Sequence, residues 1–167
     1  QEEVDQNLGL ILRVTGPNQT DARHADLGHA LNIRLTASDG SVYNERVTVR
    51  VPQAYDIGFD DSSIQPVYGV TPGDTTRIEM SIKNNGNGDD TISVNLSTLA
   101  PSDWNVLGAS AITMSADSLQ TYSFDVIVPS NASAGKFDVT LRLLSEDGET
   151  TSNRTIQVEV ARPIIEI

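Results

Sequence analysis

The sequence contains no cysteine, and its only lysines are Lys83 and Lys136. Without cysteine, neither disulfides nor cysteine-based metal sites can stabilise the fold, which must therefore depend on buried apolar surface. The scarcity of positive charge leaves a formal net charge of −12 in 167 residues. Because so acidic a protein has no basic stripe to neutralise phosphates, we expect no nucleic acid among its partners.

Long apolar runs are also missing. No stretch approaches the roughly 18 consecutive apolar residues that a membrane span needs, so we expect no membrane insertion in this segment. The amino terminus lacks the basic and apolar regions of a signal peptide, and any export signal is expected to lie outside this chain. Apolar residues still make up 38% of the sequence and charged residues only 20%, which is compatible with a packed core.

Apolar and polar residues alternate along most of the chain, which is the two-residue period of a half-buried β-strand. The alternating apolar residues include Ile78, Met80, Ile82, Val139, Leu141 and Leu143. Turn-forming stretches such as residues 71–74 (TPGD) and 146–148 (EDG) separate these segments, and no helical period is present. Many short strands at about ten-residue spacing predict an all-β fold built from immunoglobulin-like β-sandwiches.

Part of this strand pattern occurs twice in the sequence. Residues 32–35 (NIRL) recur 108 residues later as residues 140–143 (TLRL). Residues 44–51 (NERVTVRV) recur 109 residues later as residues 153–160 (NRTIQVEV). Upstream, Leu10 to Val14 resembles Tyr122 to Val126. The period is close to the size of one immunoglobulin-like sandwich, so the chain is predicted to contain tandem modules.

This period defines three segments. Residues 1–52 are predicted to be the carboxy-terminal half of one module, residues 53–161 a complete module, and residues 162–167 the start of a linker or of the next module. Half a sandwich would expose an apolar face and unpaired strand edges. Two interpretations stay open: the chain is a piece of a longer array, or neighbouring molecules complete each other head to tail in a filament.

Four motifs follow one another in order: residues 71–75 (TPGDT), 83–92 (KNNGNGDDTI), 101–104 (PSDW) and 128–135 (VPSNASAG). In order and spacing they resemble the alpha-galactosidase-associated Ig-like domains. They are also similar to the CARDB-type adhesion modules of archaeal and bacterial surface proteins. The resemblance covers roughly residues 66–160. It implies an extracellular spacer or adhesion module without catalytic residues.

Five residues are predicted to be structural. Pro72 and Gly73 suit a tight turn that enters a strand, and Asn85-Gly86 is expected to adopt the positive φ of a hairpin connection. Trp104 resembles the position at which the family packs an aromatic side chain over one end of the sandwich. Short proline-containing linkers, at residues 51–54 and 161–163, are expected to restrict the angle between modules.

Two kinds of candidate site are present. Four Asn-x-Ser/Thr sequons offer N-glycosylation at Asn18, Asn95, Asn131 and Asn153. The oxygen-rich stretch at residues 84–90 offers weak calcium ligands at Asn85, Asn87, Asp89 and Asp90. A plain hairpin loop is the favoured interpretation of that stretch, because the alternation and the glutamate of an EF-hand are missing. No cofactor other than calcium is expected.

Catalysis is not expected. Both histidines, His24 and His29, are placed in a loop of the incomplete module, and no nucleophile elbow or phosphate-binding loop occurs. We expect a non-catalytic structural or adhesive repeat segment of an exported cell-surface, S-layer-like or filament protein. Its expected partners are neighbouring modules, like subunits, N-glycans or cell-surface polysaccharide.

The alternative is a carbohydrate-binding accessory module of a secreted glycosidase. Sugar sites on sandwiches use exposed aromatic platforms, and aromatic residues make up only 5% of this sequence. Tyr122 and Phe124 share an alternating apolar face and are predicted to lie in the core. Trp104, Tyr68 and Tyr43 are the residues expected to offer exposed rings.

Overall fold

The computed structural model describes residues 13, 25, 28–63, 65 and 67–161. The described residues contain no α-helix, and none of their segments has the length and apolar character of a membrane-crossing helix. The predicted all-β class is confirmed. The strands within the described residues are β1 (Gly28–Thr36), β2 (Val42–Arg50), β3 (Ile57–Asp60), β4 (Val67–Val70), β5 (Thr75–Asn84), β6 (Asp90–Thr98), β7 (Asn105–Gly108), β8 (Ala111–Met114), β9 (Ser118–Ile127), β10 (Gly135–Leu144) and β11 (Thr151–Val160).

The strands from β3 to β11 form a β-sandwich. One sheet has the strand order β4-β11-β10-β6-β8 and the other β3-β5-β9-β7. The alternating apolar residues of both sheets point into the space between them, which explains the two-residue period of the sequence. Tyr122 and Phe124 lie in this core, as predicted. The fully buried side chains include Ile78, Met80, Ile82, Ile92, Val126, Val139, Leu141, Leu143 and Val158.

The chain enters the sandwich by supplying one strand to each sheet. β3 pairs with β5, and β4 then runs parallel to β11 in the opposite sheet. A 3-10 turn at Asp61–Ser63 lies between these two strands. The Arg154 guanidinium pairs with the Asp61 carboxylate, and its central carbon lies 5.8 Å from the centre of the Phe59 ring. This contact ties β11 to the first strand of the module.

β1 and β2 form a separate two-stranded hairpin with the register of the β10–β11 hairpin. Arg34 lies opposite Asn44, and Arg142 lies opposite Asn153. The same correspondence holds along the strands, since Leu31 opposes Val47 as Val139 opposes Ile156. The sequence repeat is therefore also a repeat of backbone pairing. The similar segment at residues 10–14 lies outside the described residues, apart from residue 13.

The two hairpins also have similar turns, although the turn at residues 145–150 is one residue longer than the turn at residues 37–41. Gly40 and Gly148 both adopt positive φ, at 87° and 75°. Asp39 accepts a hydrogen bond from the backbone N–H of Ser41, and Asp147 accepts one from that of Glu149. Such aspartate contacts close the turn locally, and glycine relieves the steric cost of positive φ. An Asp-Gly pair with a positive-φ glycine is therefore present in both turns.

Three expectations about loops and turns were wrong. Residues 85–89 are not a hairpin loop, because they join β5 of one sheet to β6 of the other. Gly86 is not among the glycines with positive φ, which are Gly40, Gly73 and Gly148. His29 lies in β1 rather than in a loop, whereas His24 is outside the described residues. Local composition signals a reversal of the chain, but the partner sheet of each strand depends on long-range pairing.

Trp104 is 5% exposed and packs against Phe137 with ring centroids 4.6 Å apart. Its backbone N–H donates to the carbonyl of Pro101, at 3.1 Å. The expected packing of this aromatic residue in the sandwich is therefore present. The expectation that the ring could be exposed for a ligand was wrong, since its large apolar area is more stable in the core.

Candidate functional site

The most extensively bonded polar feature joins the linker after β2 to the loop after β5, and we call it the junction (residues 52–56 and 84–89). Its central side chain is Asn87, which is 2% exposed. The Asn87 side-chain carbonyl accepts a hydrogen bond from the backbone N–H of Ala54 at 2.7 Å. Its amide group donates to the carbonyl of Pro52 at 3.1 Å. One buried side-chain amide thus provides hydrogen-bond partners for two backbone groups of the linker.

Backbone hydrogen bonds extend the junction on both sides of Asn87. The N–H of Asn85 donates to the carbonyl of Asp56 at 2.7 Å, and that of Asn87 donates to the carbonyl of Ala54 at 3.3 Å. The Gln53 side chain donates to the carbonyl of Asp89 at 2.7 Å. Hydrogen bonds therefore join the linker to the module at residues 52, 53, 54 and 56.

Gly86 allows the linker to approach the loop closely. A Cβ atom at this position would lie 2.5 Å from the carbonyl oxygen of Ala54 and 2.9 Å from the side-chain oxygen of Asn84. Both distances are shorter than a Cβ atom can approach without a steric clash. The first clash is with a backbone atom, which cannot move aside as the end of a flexible side chain can. The glycine is required by close approach of two segments, not by its φ.

Asn84 holds the loop from inside the sandwich. It is 1% exposed, and its amide nitrogen lies 3.0 Å from the carbonyl of Gly88 and 3.1 Å from that of Ser115. Its side-chain oxygen accepts from the N–H of Gly86 at 2.8 Å. The loop therefore has a fixed shape onto which the linker can dock.

The calcium candidates lie in or beside the junction. Asn87 uses both ends of its amide on the linker, and Asn85 is half-buried. The Asp89 carboxylate accepts from the N–H of Ala116 at 3.3 Å. The buried Asp90 carboxylate accepts from the Ser145 hydroxyl at 2.6 Å and from the N–H of Glu146 at 3.1 Å. In the described part of the chain, no three acidic, histidine or cysteine side chains are grouped to hold a metal ion.

The structure brings two sequon asparagines together on the outer face of the five-stranded sheet. Asn95 of β6 and Asn153 of β11 both lie directly opposite Arg142 of β10, on its two sides. All three side chains are exposed. Since neighbouring strands are about 4.8 Å apart, the two asparagines are separated by about 10 Å. Asn131 is exposed in the turn after β9, and Asn18 is outside the described residues.

The same face contains an open depression of about 820 Å³ around Arg142. Most of the residues that line it carry a hydroxyl, amide or guanidinium group, and we call this lining the polar face. Such groups can donate and accept hydrogen bonds with a polyhydroxylated or anionic molecule. Its lining residues are Ser93, Val94, Asn95, Ser97, Ser110, Thr140, Arg142, Leu144 and Asn153.

The inner face of the β1–β2 hairpin is incompletely covered. Leu35 is 42% exposed and Val47 is 40% exposed. Leu31, Ile33 and Val49 on the same face are half-buried. We call these five residues the open face. Their equivalents in the β10–β11 hairpin are Val139, Leu141, Leu143, Ile156 and Val158, which are all at most 1% exposed.

The aromatic residues considered for sugar binding do not form a platform. Trp104 is buried, Tyr68 is half-buried, and Tyr43 is 61% exposed on β2. The Tyr43 hydroxyl donates to the Glu45 carboxylate at 2.8 Å. That hydrogen bond and the negative charge of Glu45 raise the pKa of Tyr43 above its ordinary value. These three rings therefore offer no shared stacking surface.

Residues 70–145 match the family model of the NPCBM-associated, NEW3 domain of alpha-galactosidase. The resemblance indicated by the order of the sequence motifs is confirmed over this segment. No curated protein sequence matches the chain.

Solved structures of several origins resemble the chain. A family 123 glycoside hydrolase from Clostridium perfringens is 9% identical, with a TM-score of 0.47 over 67% of this chain and 28% of that chain. A FixG-related protein from Vibrio parahaemolyticus is 9% identical, with a TM-score of 0.46 over 67% of this chain and 99% of that chain. The ASH/PapD-like domain of human CEP192 is 13% identical, with a TM-score of 0.42 over 66% of this chain and 87% of that chain. The matched part is thus little more than a quarter of the hydrolase.

Sequence reasoning missed two features. The junction could not be found from spacing, because Asn87 and Ala54 are 33 residues apart and belong to stretches interpreted as loop and linker. The clustering of Asn95, Arg142 and Asn153 was also missed, although all three occupy polar positions in alternating segments. Their shared side of the sheet was predictable, but their common row required the strand order β11-β10-β6.

Proposed function

We propose that this chain is a non-catalytic structural repeat segment of an exported cell-surface, S-layer-like or filament protein, in which each module acts as a spacer. The observation that carries the proposal is the common register of the β1–β2 and β10–β11 hairpins. A sequence repeat with the same strand pairing and a similar Asp-Gly turn is typical of a tandem array. The match to a glycosidase-associated domain supports secretion of the protein that contains it.

The junction gives the spacer its stiffness. Hydrogen bonds from the Asn87 and Gln53 side chains hold the linker against the module. The linker to the β1–β2 hairpin is therefore not a flexible tether. Fixed angles between successive modules would transmit position and force along a stalk. The acidic net charge keeps neighbouring stalks apart in solution.

Spin-label distances test the stiffness. The natural chain has no cysteine, so Val42→Cys on β2 and Leu119→Cys on β9, both at exposed positions, would be labelled without background. We expect a single narrow distance distribution, and a broader one when Asn87→Ala is added. A broad distribution without the Asn87 change would contradict the spacer proposal.

Glycosylation of Asn95, Asn131 and Asn153 is part of the proposal, because an exported surface protein meets the modification machinery. The intact mass of the natural protein, before and after enzymatic or chemical glycan removal, tests it. We expect mass losses that disappear in Asn→Gln variants, with Asn85→Gln as an asparagine control outside a sequon. An unchanged mass would remove the glycan assignment and leave the spacer proposal intact.

A carbohydrate-binding accessory role is the second candidate, and the open depression on the polar face favours it. Arg142 is suited to a saccharide that carries a carboxylate. Titration of unglycosylated protein with neutral oligosaccharides and with uronic-acid oligosaccharides tests the role. We expect Arg142→Gln to weaken binding of the acidic ligand and Arg77→Gln, on the other sheet, to leave it unchanged. No binding of either ligand would exclude this candidate.

A further inference from the structure

The residues of the β10–β11 hairpin that are equivalent to the open face are buried by other strands of the sandwich. Those strands indicate which kind of partner would bury the open face. We propose that the β1–β2 hairpin is completed by a half-sandwich built like residues 53–117, in which a lysine or arginine stands in place of Asp61. This inference rests on the proposed function and names the chemistry of the neighbouring partner. Three observations support it. They are the strands that pair with the edges of the β10–β11 hairpin, the burial of the inner face of that hairpin, and the presence of Glu45 at the position equivalent to Arg154.

The strand edges give the geometry. β10 pairs antiparallel with β6, from Val139 opposite Thr98 to Leu144 opposite Ser93. On the other side, β11 pairs in parallel with β4, from Gln157 opposite Val67 onward. No described strand occupies the corresponding edges of β1 and β2. By equivalence, the partner places a β6-like strand against residues 31–36 and a β4-like strand against residues 48–51.

The second observation is the burial of the residues equivalent to the open face. The side chains equivalent to the open face are covered by the sheet β3-β5-β9-β7, in which β5, a strand within residues 53–117, supplies the core residues Ile78, Met80 and Ile82. A partner with the same alternation would remove the Leu35 and Val47 surface from water. Removing this remaining apolar surface from water would stabilise the pairing of the hairpin with its partner.

Charge decides which half-sandwich fits. In the complete module, Arg154 pairs with Asp61 and lies over the Phe59 ring. The hairpin position equivalent to Arg154 is Glu45, since Glu45 opposes Ile33 as Arg154 opposes Leu141. A second copy of residues 53–117 would therefore place its Asp61 carboxylate against Glu45. Repulsion disfavours that copy, whereas a cation at the Asp61 position restores an opposite-charge pair.

A fusion tests the inference on the full chain. A copy of residues 53–117 is placed directly ahead of Gln1, so that residues 1–27 keep their position before the hairpin. One fusion keeps Asp61 in the added copy, and the other carries Asp61→Arg there. We expect amide hydrogen exchange at residues 31–36 and 48–51 to slow by at least about tenfold in the Arg fusion relative to the natural chain. The Asp fusion should show weaker protection.

Charge reversal provides the control. Glu45→Arg in the Asp fusion should recover the protection, and Glu45→Arg in the Arg fusion should lose it. Equal protection in both fusions would overturn the charge requirement but leave the module proposal standing. No protection in any fusion would overturn both. A concentration-dependent dimer of the natural chain that protects the same amides would also overturn the inference, because a second copy would then be the occupant.

Discussion

Leu35 and Leu143 occupy equivalent positions in two hairpins of the same register, yet Leu35 is 42% exposed and Leu143 is fully buried. The pair therefore separates the effect of burial from that of residue type and strand position. We expect Leu143→Ala to lower the free energy of unfolding by about 2–5 kcal/mol, because it leaves a cavity in the core.

Leu35→Ala is the matched control for that prediction. Because its side chain is not enclosed, the expected loss is about 1 kcal/mol or less. Urea denaturation followed by Trp104 fluorescence measures both variants, since the indole lies in the sandwich core. Similar losses at the two positions would show that the open face is buried in solution.

Asn87 is expected to be the polar side chain on which the junction depends. Asn87→Ala removes the acceptor of the Ala54 N–H and the donor to the Pro52 carbonyl. Buried groups that lose such a partner cost about 1–3 kcal/mol, and the amide of Ala54 should exchange faster. Asn85→Ala, at a half-buried neighbour, is expected to change both quantities little. An unchanged Ala54 exchange rate in Asn87→Ala would contradict the role of Asn87.

Gly86 and Gly58 form a pair that tests close approach. A Cβ at Gly86 would meet the Ala54 carbonyl oxygen at 2.5 Å, whereas one at Gly58 meets no atom within 4 Å. We expect Gly86→Ala to destabilise the protein by about 1–3 kcal/mol through forced displacement of the linker. Gly58→Ala should be neutral or slightly stabilising. Thermal denaturation compares the two, and equal melting temperatures would refute the contact.

Asp147 is expected to make the β10–β11 turn sensitive to acid. A side-chain hydrogen bond from Thr150, together with backbone N–H groups of Thr150 and Glu149, lowers the pKa of Asp147 below 3.8. A carboxyl whose folded-state pKa is lowered stabilises the fold above its unfolded pKa. That stabilisation is lost as the pH falls through the folded value.

The corresponding variant is Asp147→Ala. It should be less stable than the natural protein above the ordinary pKa of an aspartate, about 3.9, and the difference should shrink as the pH falls from there through the lowered folded-state pKa. Asp147→Asn keeps an acceptor without a titrating charge and should show a flatter acid dependence. Urea denaturation at several pH values measures these differences. A difference that grows toward low pH would have the wrong sign.

The strands, their inward faces and the repeat could be predicted from local sequence patterns. Ile78, Met80 and Ile82 alternate with polar residues, and the alternation alone places them in the core of a sheet. The Asp-Gly pairs at residues 39–40 and 147–148 likewise encode positive-φ turns through local sterics and hydrogen bonds. Such properties depend on neighbours in the chain, so they can be predicted from a short window.

Which distant segments meet depends on the folded module as a whole. The 84–89 loop crosses between sheets and binds the linker through Asn87, although its composition is that of a hairpin. Asn95, Arg142 and Asn153 form one row only because β6 and β11 flank β10. The physical reason is that period and turn chemistry are local, whereas sheet order is set by the burial and hydrogen bonding of the whole module.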